Sequence, residues 1–170
     1  SEVGGRRPRQ KHLMNRIRSI AKITRPGFSG VCLRKRLFAR IDKAKKSPVI
    51  WICGPPGAGK TILASSYVED RKLPCLWYEA DRGDSDVATF FYYMRQAAAA
   101  AGGAKGSPLP LFTPEYAHGS AVFSKRFFER LFSGMKHSAC LVIDNYHEVA
   151  PKSAFHDALK EGLSAMPQGV

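Results

Sequence analysis

Five apolar residues, Val49-Ile50-Trp51-Ile52-Cys53, break abruptly into Gly54-Pro55-Pro56-Gly57-Ala58-Gly59-Lys60-Thr61, and a helix-favouring stretch follows to about Asp70. The apolar run, rich in β-branched and aromatic side chains, reads as a strand buried on both faces. The next eight residues match G-x-x-x-x-G-K-[ST] at each fixed position, in the strand–loop–helix context that the motif requires. Glycines let such a loop bend until successive N–H groups point inward around an anion, where a Cβ would intrude. The helix that starts at its end adds a partial positive charge. A chain built around this unit is expected to be α/β with a parallel sheet.

The rest of the pattern agrees. Cys75–Glu79 and Ala139–Ile143 read as two further strands, and helices are expected over about 33–44, 59–70, 85–101, 120–135 and 153–165. Phe123, Phe127, Phe128, Leu131 and Phe132 mark a buried stripe on the fourth of these. Leu33, Leu37, Phe38 and Ile41 do so on the first. His12–Ile23 shows a short amphipathic helical pattern, and Gly102-Gly103 should stop the long alanine-rich helix. Residues 102–119, with Pro108, Pro110 and Pro114, form an unusually long loop.

The chemistry of the loop assigns its residues. Gly54, Pro55, Pro56, Gly57, Ala58, Gly59, Lys60, Thr61 and the following Ile62 are expected to hold a nucleotide, ATP or ADP. Lys60 supplies a cation to the phosphates, and Thr61 offers its hydroxyl to Mg²⁺. A second acid must hold the metal through water at the end of another buried strand. Cys140-Leu141-Val142-Ile143-Asp144 is the only apolar run terminated by a carboxylate at the right distance downstream, so Asp144 takes that role. Lys60 and Asp144 are then the residues expected to act in any hydrolysis. The next residue is Asn145, whose amide cannot accept a proton. His147 and Glu148 lie nearby, on a segment that could equally be surface. Hydrolysis is therefore expected to be slow, at most a weak ATPase, which suits a switch better than a motor.

Charge and cysteine content restrict the alternatives. The net charge is +13, yet residues 1–46 hold 15 Lys and Arg against only Glu2 and Asp42, while residues 47–170 balance at 12 of each sign. The excess reads as a solvated basic arm or linker over residues 1–22, ahead of a domain spanning 23–170; a polyanion contact is the other reading. No apolar run approaches the ~20 residues of a bilayer span, and no secretory leader pattern is present, so the expected setting is cytoplasmic, without a membrane partner. Four cysteines, Cys32, Cys53, Cys75 and Cys140, are too widely spaced for a C-x-x-C site. Three of them stand in apolar runs and read as small buried hydrophobes.

Arg34-Lys35-Arg36-Leu37, the loop, Trp77-Tyr78-Glu79-Ala80-Asp81 with Asp84 and Asp86, and Leu141-Val142-Ile143-Asp144-Asn145-Tyr146-His147 occur in an order that resembles MalT-like regulators. These are ATP-dependent activators of the LuxR family, within the STAND class of signal-transduction ATPases. The resemblance runs from about Ile23 to the C-terminus. It implies a P-loop NTPase fold of the ASCE or AAA-like kind, a three-layer sandwich with strand order 5-1-4-3-2. On that pattern the chain ends before strands 4 and 5, so the fold is expected to be incomplete. The resemblance also implies that Val31–Arg34 line the adenine pocket, with Arg34 matching the family arginine and Leu37 packing beneath it. Function is then expected to be an ATP·Mg-binding switch in transcription regulation. Self-association through the NTPase domain and DNA contact through domains outside these residues are also implied. The competing readings are a catalytic AAA+-type ATPase or small kinase, and a nucleic-acid-binding module using the basic N-terminus.

Overall fold

A computed structural model of the chain describes residues 20–101, 108–136 and 138–166. The expected helix over His12–Ile23 and the glycine stop at 102–103 fall mostly outside these residues; within them, Ala21–Ile23 forms a single 3-10 turn. The described chain is α/β. Helix α1 spans Lys35–Ala44 and α2 Lys60–Asp70, followed by strand β1 (Cys75–Glu79), α3 (Val87–Ala100), α4 (Ser120–Gly134), β2 (Cys140–Asp144) and α5 (Ala154–Ser164). Strands β1 and β2 pair in parallel, in a register that sets Cys75 opposite Cys140 and Glu79 opposite Asp144. A parallel pair needs a long crossover, and α3 and α4 supply it. Among the described residues no helix is long and apolar enough to cross a membrane.

The main core is aromatic. Tyr78 of β1, Phe90 and Phe91 of α3, Phe123, Phe127 and Phe128 of α4, and Phe155 of α5 are all fully buried. Their rings meet largely edge to face: Phe90 lies 5.3 Å from Tyr78 and 4.9 Å from Phe155, and Phe91 lies 4.8 Å from Phe123. That geometry suits the ring quadrupoles. Phe132, expected in the same stripe, packs at its margin. Helix α5 approaches α4 closely at Gly162, where an added Cβ would sit 2.5 Å from the Phe128 ring. Asp86 caps α3 by accepting from the Ala88 amide at 3.1 Å and the Thr89 hydroxyl at 2.9 Å, which satisfies donors the helix leaves free.

Ile20–Ile23 belongs to this core rather than to the solvent. Ile23 is buried, Ile20 packs against it, and the Lys22 ammonium reaches the fully buried Asp84 at 2.8 Å. Asp84 also accepts from the Tyr78 hydroxyl at 2.6 Å and the Asp81 amide at 2.8 Å. Such a carboxylate is tolerable only when its oxygens are paired in this way.

A smaller core joins α1 to α2. Phe38, Ile41, Leu63 and Tyr67 form it, with Leu37 at its edge; Leu33, expected on that face, is exposed. The Tyr67 hydroxyl and the Arg71 guanidinium both donate to Asp42, each at 2.6 Å. These donors, Arg71 first, hold the Asp42 carboxyl down at about 2.

One expectation is corrected. Val49–Cys53 is not a strand, and Val49, Ile50 and Trp51 are exposed, Trp51 by 65%. A strand exists through its ladder, and the paired sheet is two-stranded, β2 bonding to β1 on one side. On its other side β2 faces an open groove of about 900 Å³, with Ile50, Ile52 and Cys53 on one wall and Leu141 and Ile143 on the other. The segment is anchored instead by the Trp51 ring, edge-on to Tyr146 at 4.9 Å. Cys53 is accordingly exposed rather than buried.

Candidate functional site

Two backbone features shape the 54–61 loop. Gly57 and Gly59 adopt φ of 75° and 72°, the left-handed region that L side chains avoid. Gly59 caps α2 directly, and its carbonyl accepts the first helical bond from Leu63 at 2.9 Å. The loop therefore delivers Lys60 and Thr61 as the first two residues of an eleven-residue helix, at its positive end.

Side chains complete the arrangement. The Lys60 ammonium folds back over the loop and donates to the Gly54 and Pro55 carbonyls, at 3.0 and 3.1 Å. The Thr61 hydroxyl donates to Asp144 Oδ1 at 3.1 Å, joining residues 83 positions apart. The Asn145 amide donates to the same oxygen at 3.0 Å. Arg34, which precedes α1, donates from Nη1 to the Ala58 carbonyl at 2.8 Å. Its Nη2 lies 2.7 Å from where a Cβ on Gly59 would stand. A side chain at Gly59 would thus face both a strained φ and a guanidinium. Ile62, on the first turn of α2, is partly exposed.

The structure also brings in a residue that the sequence reading passed over. Glu79 ends β1 as Asp144 ends β2, so the register sets the two acids side by side. Asn145, at a φ of 54°, turns its side-chain amide to donate to Glu79 Oε1 at 3.2 Å. The signal was available: both strands are apolar runs that end in a carboxylate. His147 and Glu148 instead pair with each other at 3.4 Å on the exposed surface. His156 has both ring nitrogens engaged, one with the Tyr146 hydroxyl at 2.7 Å and one with the Ala150 carbonyl at 2.9 Å. Among the described residues no cluster of three or more His, Cys, Asp or Glu is placed to hold a metal by itself.

Known proteins give a partial match. The family model described as "Nephrocystin 3, N-terminal" matches residues 31–104, which include the loop and β1. The chain is 28% identical over 153 residues to the HTH-type transcriptional regulator MalT of Klebsiella pneumoniae, covering 88% of this chain and 16% of that protein. It is 29% identical over 150 residues to MalT of Cronobacter sakazakii, covering 86% of this chain and again 16% of the relative. The chain thus spans about a sixth of the length of these curated relatives. No solved structure matches it. These similarities support a loose relationship to MalT-like transcriptional regulators.

Proposed function

We propose that the chain binds ATP or ADP with Mg²⁺ at the Gly54–Thr61 loop and acts as a nucleotide-responsive switch within a bacterial transcriptional regulator. The observation that carries this reading is the Thr61–Asp144 contact, which joins the hydroxyl of the glycine-rich loop to the carboxylate ending β2. A hydroxyl and a carboxylate are hard oxygen donors, the kind Mg²⁺ takes. Thr61 would hold the ion directly and Asp144 through water, and the bound ion would neutralise phosphate charge. On this reading β1 and β2 are part of a three-layer P-loop sandwich.

Each polar side chain then has a task. Lys60 exchanges two neutral carbonyl acceptors for charged phosphate oxygens, which bind an ammonium more strongly. Arg34 brings a second cation to the same loop and braces its Ala58 corner; the family pattern adds a base contact through Val31–Arg34. Ile62 continues the loop on the first turn of α2. Glu79, oriented by Asn145, is better placed than His147 or Glu148 to accept a proton from water beside Asp144. Turnover stays slow, because the carboxylate lies on the neighbouring strand rather than directly after Asp144. Self-association would run through the NTPase domain of the full regulator and DNA contact through its other domains, and the regulator would work in the cytoplasm.

Calorimetric titration with Mg·ATP tests the reading. Lys60→Ala should lose most of the affinity, while Glu79→Gln should keep it and lower the steady-state turnover of the full regulator. Equal affinity of the wild type and Lys60→Ala would overturn the nucleotide assignment.

A further inference from the structure

At the opposite end of the sheet from the phosphate loop, Cys75 and Cys140 open the two strands as direct partners in register. Side chains at one register position of a parallel pair leave the same face, and neighbouring strands run about 4.8 Å apart. The register thus sets the two thiols side by side at the start of the sheet. Neither is sealed in the core, for both residues are half-buried. Cys75 lines a cavity of about 420 Å³ with Arg25, Leu73 and Pro74. Cys140 lines the groove beside β2, together with Lys45. Each cysteine therefore borders its own opening, and each opening is lined by a cation.

We propose that Cys75 and Cys140 form a reversible dithiol–disulfide pair that is oxidised by small disulfides of the glutathione class. The inference is independent of the nucleotide site. Cys75 and then Lys45 hold the Cys140 thiol below its ordinary range against the opposing effect of burial, while Cys140 and burial push the Cys75 thiol up. Cys140 is then the attacking sulfur. Its thiolate displaces one thiolate from the disulfide and forms a mixed disulfide. Cys75 attacks the Cys140 sulfur next and expels the second thiolate, which takes up the Cys75 proton. Two protein thiols become one disulfide, and one small disulfide becomes two thiols. A disulfide spans Cα atoms about 4.4–6.8 Å apart, a range that includes the strand spacing, so the bond can close without moving the strand ends. The bond would also tie off the crossover through α3 and α4, and with it most of the aromatic core.

The test uses the full chain with Cys32→Ser and Cys53→Ser, since both of those residues are exposed and would otherwise react. After treatment with oxidised glutathione the protein should be lighter by two hydrogens, with no added glutathione. Peptide mapping should show a Cys75–Cys140 link that dithiothreitol removes. In Cys75→Ser the reaction should stop at glutathionylated Cys140. In Cys75→Ala, which lacks the neighbouring thiol, alkylation of Cys140 near neutral pH should slow. Circular dichroism of each variant separates a folding defect from a chemical one. A folded double variant that keeps both thiols free, or carries glutathione on both, would overturn the proposal.

Discussion

The two sides of β2 make an instructive contrast. Towards β1 lies a paired ladder backed by six fully buried phenylalanines. Towards Val49–Cys53 lies an open groove, walled by residues no less apolar. Composition does not separate the two sides; hydrogen-bond partners do. Cys75–Glu79 becomes a strand because Cys140–Asp144 completes its backbone bonds. Val49–Cys53, richer in β-branched residues, stays outside the ladder without such a neighbour. The 54–61 loop is consequently held by side-chain tethers, through Arg34, Lys60, Thr61 and Trp51, rather than by a ladder.

Truncations on the two sides should differ most. Phe128→Ala opens the interface of α4 with α5 and is expected to cost about 3–5 kcal/mol, the usual range for a buried phenylalanine. Trp51→Ala, on the groove side, should cost about 1 kcal/mol or less, since most of that ring is exposed. Urea denaturation of both variants measures the contrast, and equal losses would erase it.

The N-terminal strap sharpens the comparison further. Lys22→Ala strands the buried Asp84 carboxylate and should destabilise by about 3 kcal/mol, as breaking a buried pair does. Asp81→Asn should cost much less, because Asp81 is mostly exposed. The same denaturation series decides it. If the two variants match, Asp84 does not depend on Lys22.

The smallest effect belongs to the α1–α2 link on the loop's own side. Asp42 titrates at about 2, below the ordinary carboxylate value of 3.8. Its contribution is complete above about pH 4 and is lost as the pH falls through about 2. Carboxyl NMR titration should place Asp42 in that window, and Arg71→Gln should move it back up. An unmoved titration would remove Arg71 as the cause.

Much of this fold was legible because its signals are local. Apolar stripes marked α1 and α4, the glycine-rich motif marked the start of α2, and the change from Ile143 to Asp144 marked the end of β2. The failures are tertiary. Whether Val49–Cys53 becomes a strand depends on a neighbour that no local pattern encodes. The meeting of Cys75 with Cys140, and of Lys22 with Asp84, follows from register and docking across about 60 positions. In the candidate site, the glycine pattern pointed to the loop's left-handed turns. The place of Glu79 at the end of an apolar run was legible, but its position beside Asp144 follows from the parallel register.

Central to the account is that Thr61 and Asp144 together form a Mg²⁺ site on a nucleotide-binding loop. ADP affinity measured calorimetrically, with Mg²⁺ and with a chelator, tests it most directly in the wild type and Asp144→Asn. The account predicts that Mg²⁺ tightens binding at least tenfold in the wild type, about 1.4 kcal/mol, and has little effect in the variant. An affinity indifferent to Mg²⁺, or a tightening that survives Asp144→Asn, would contradict it.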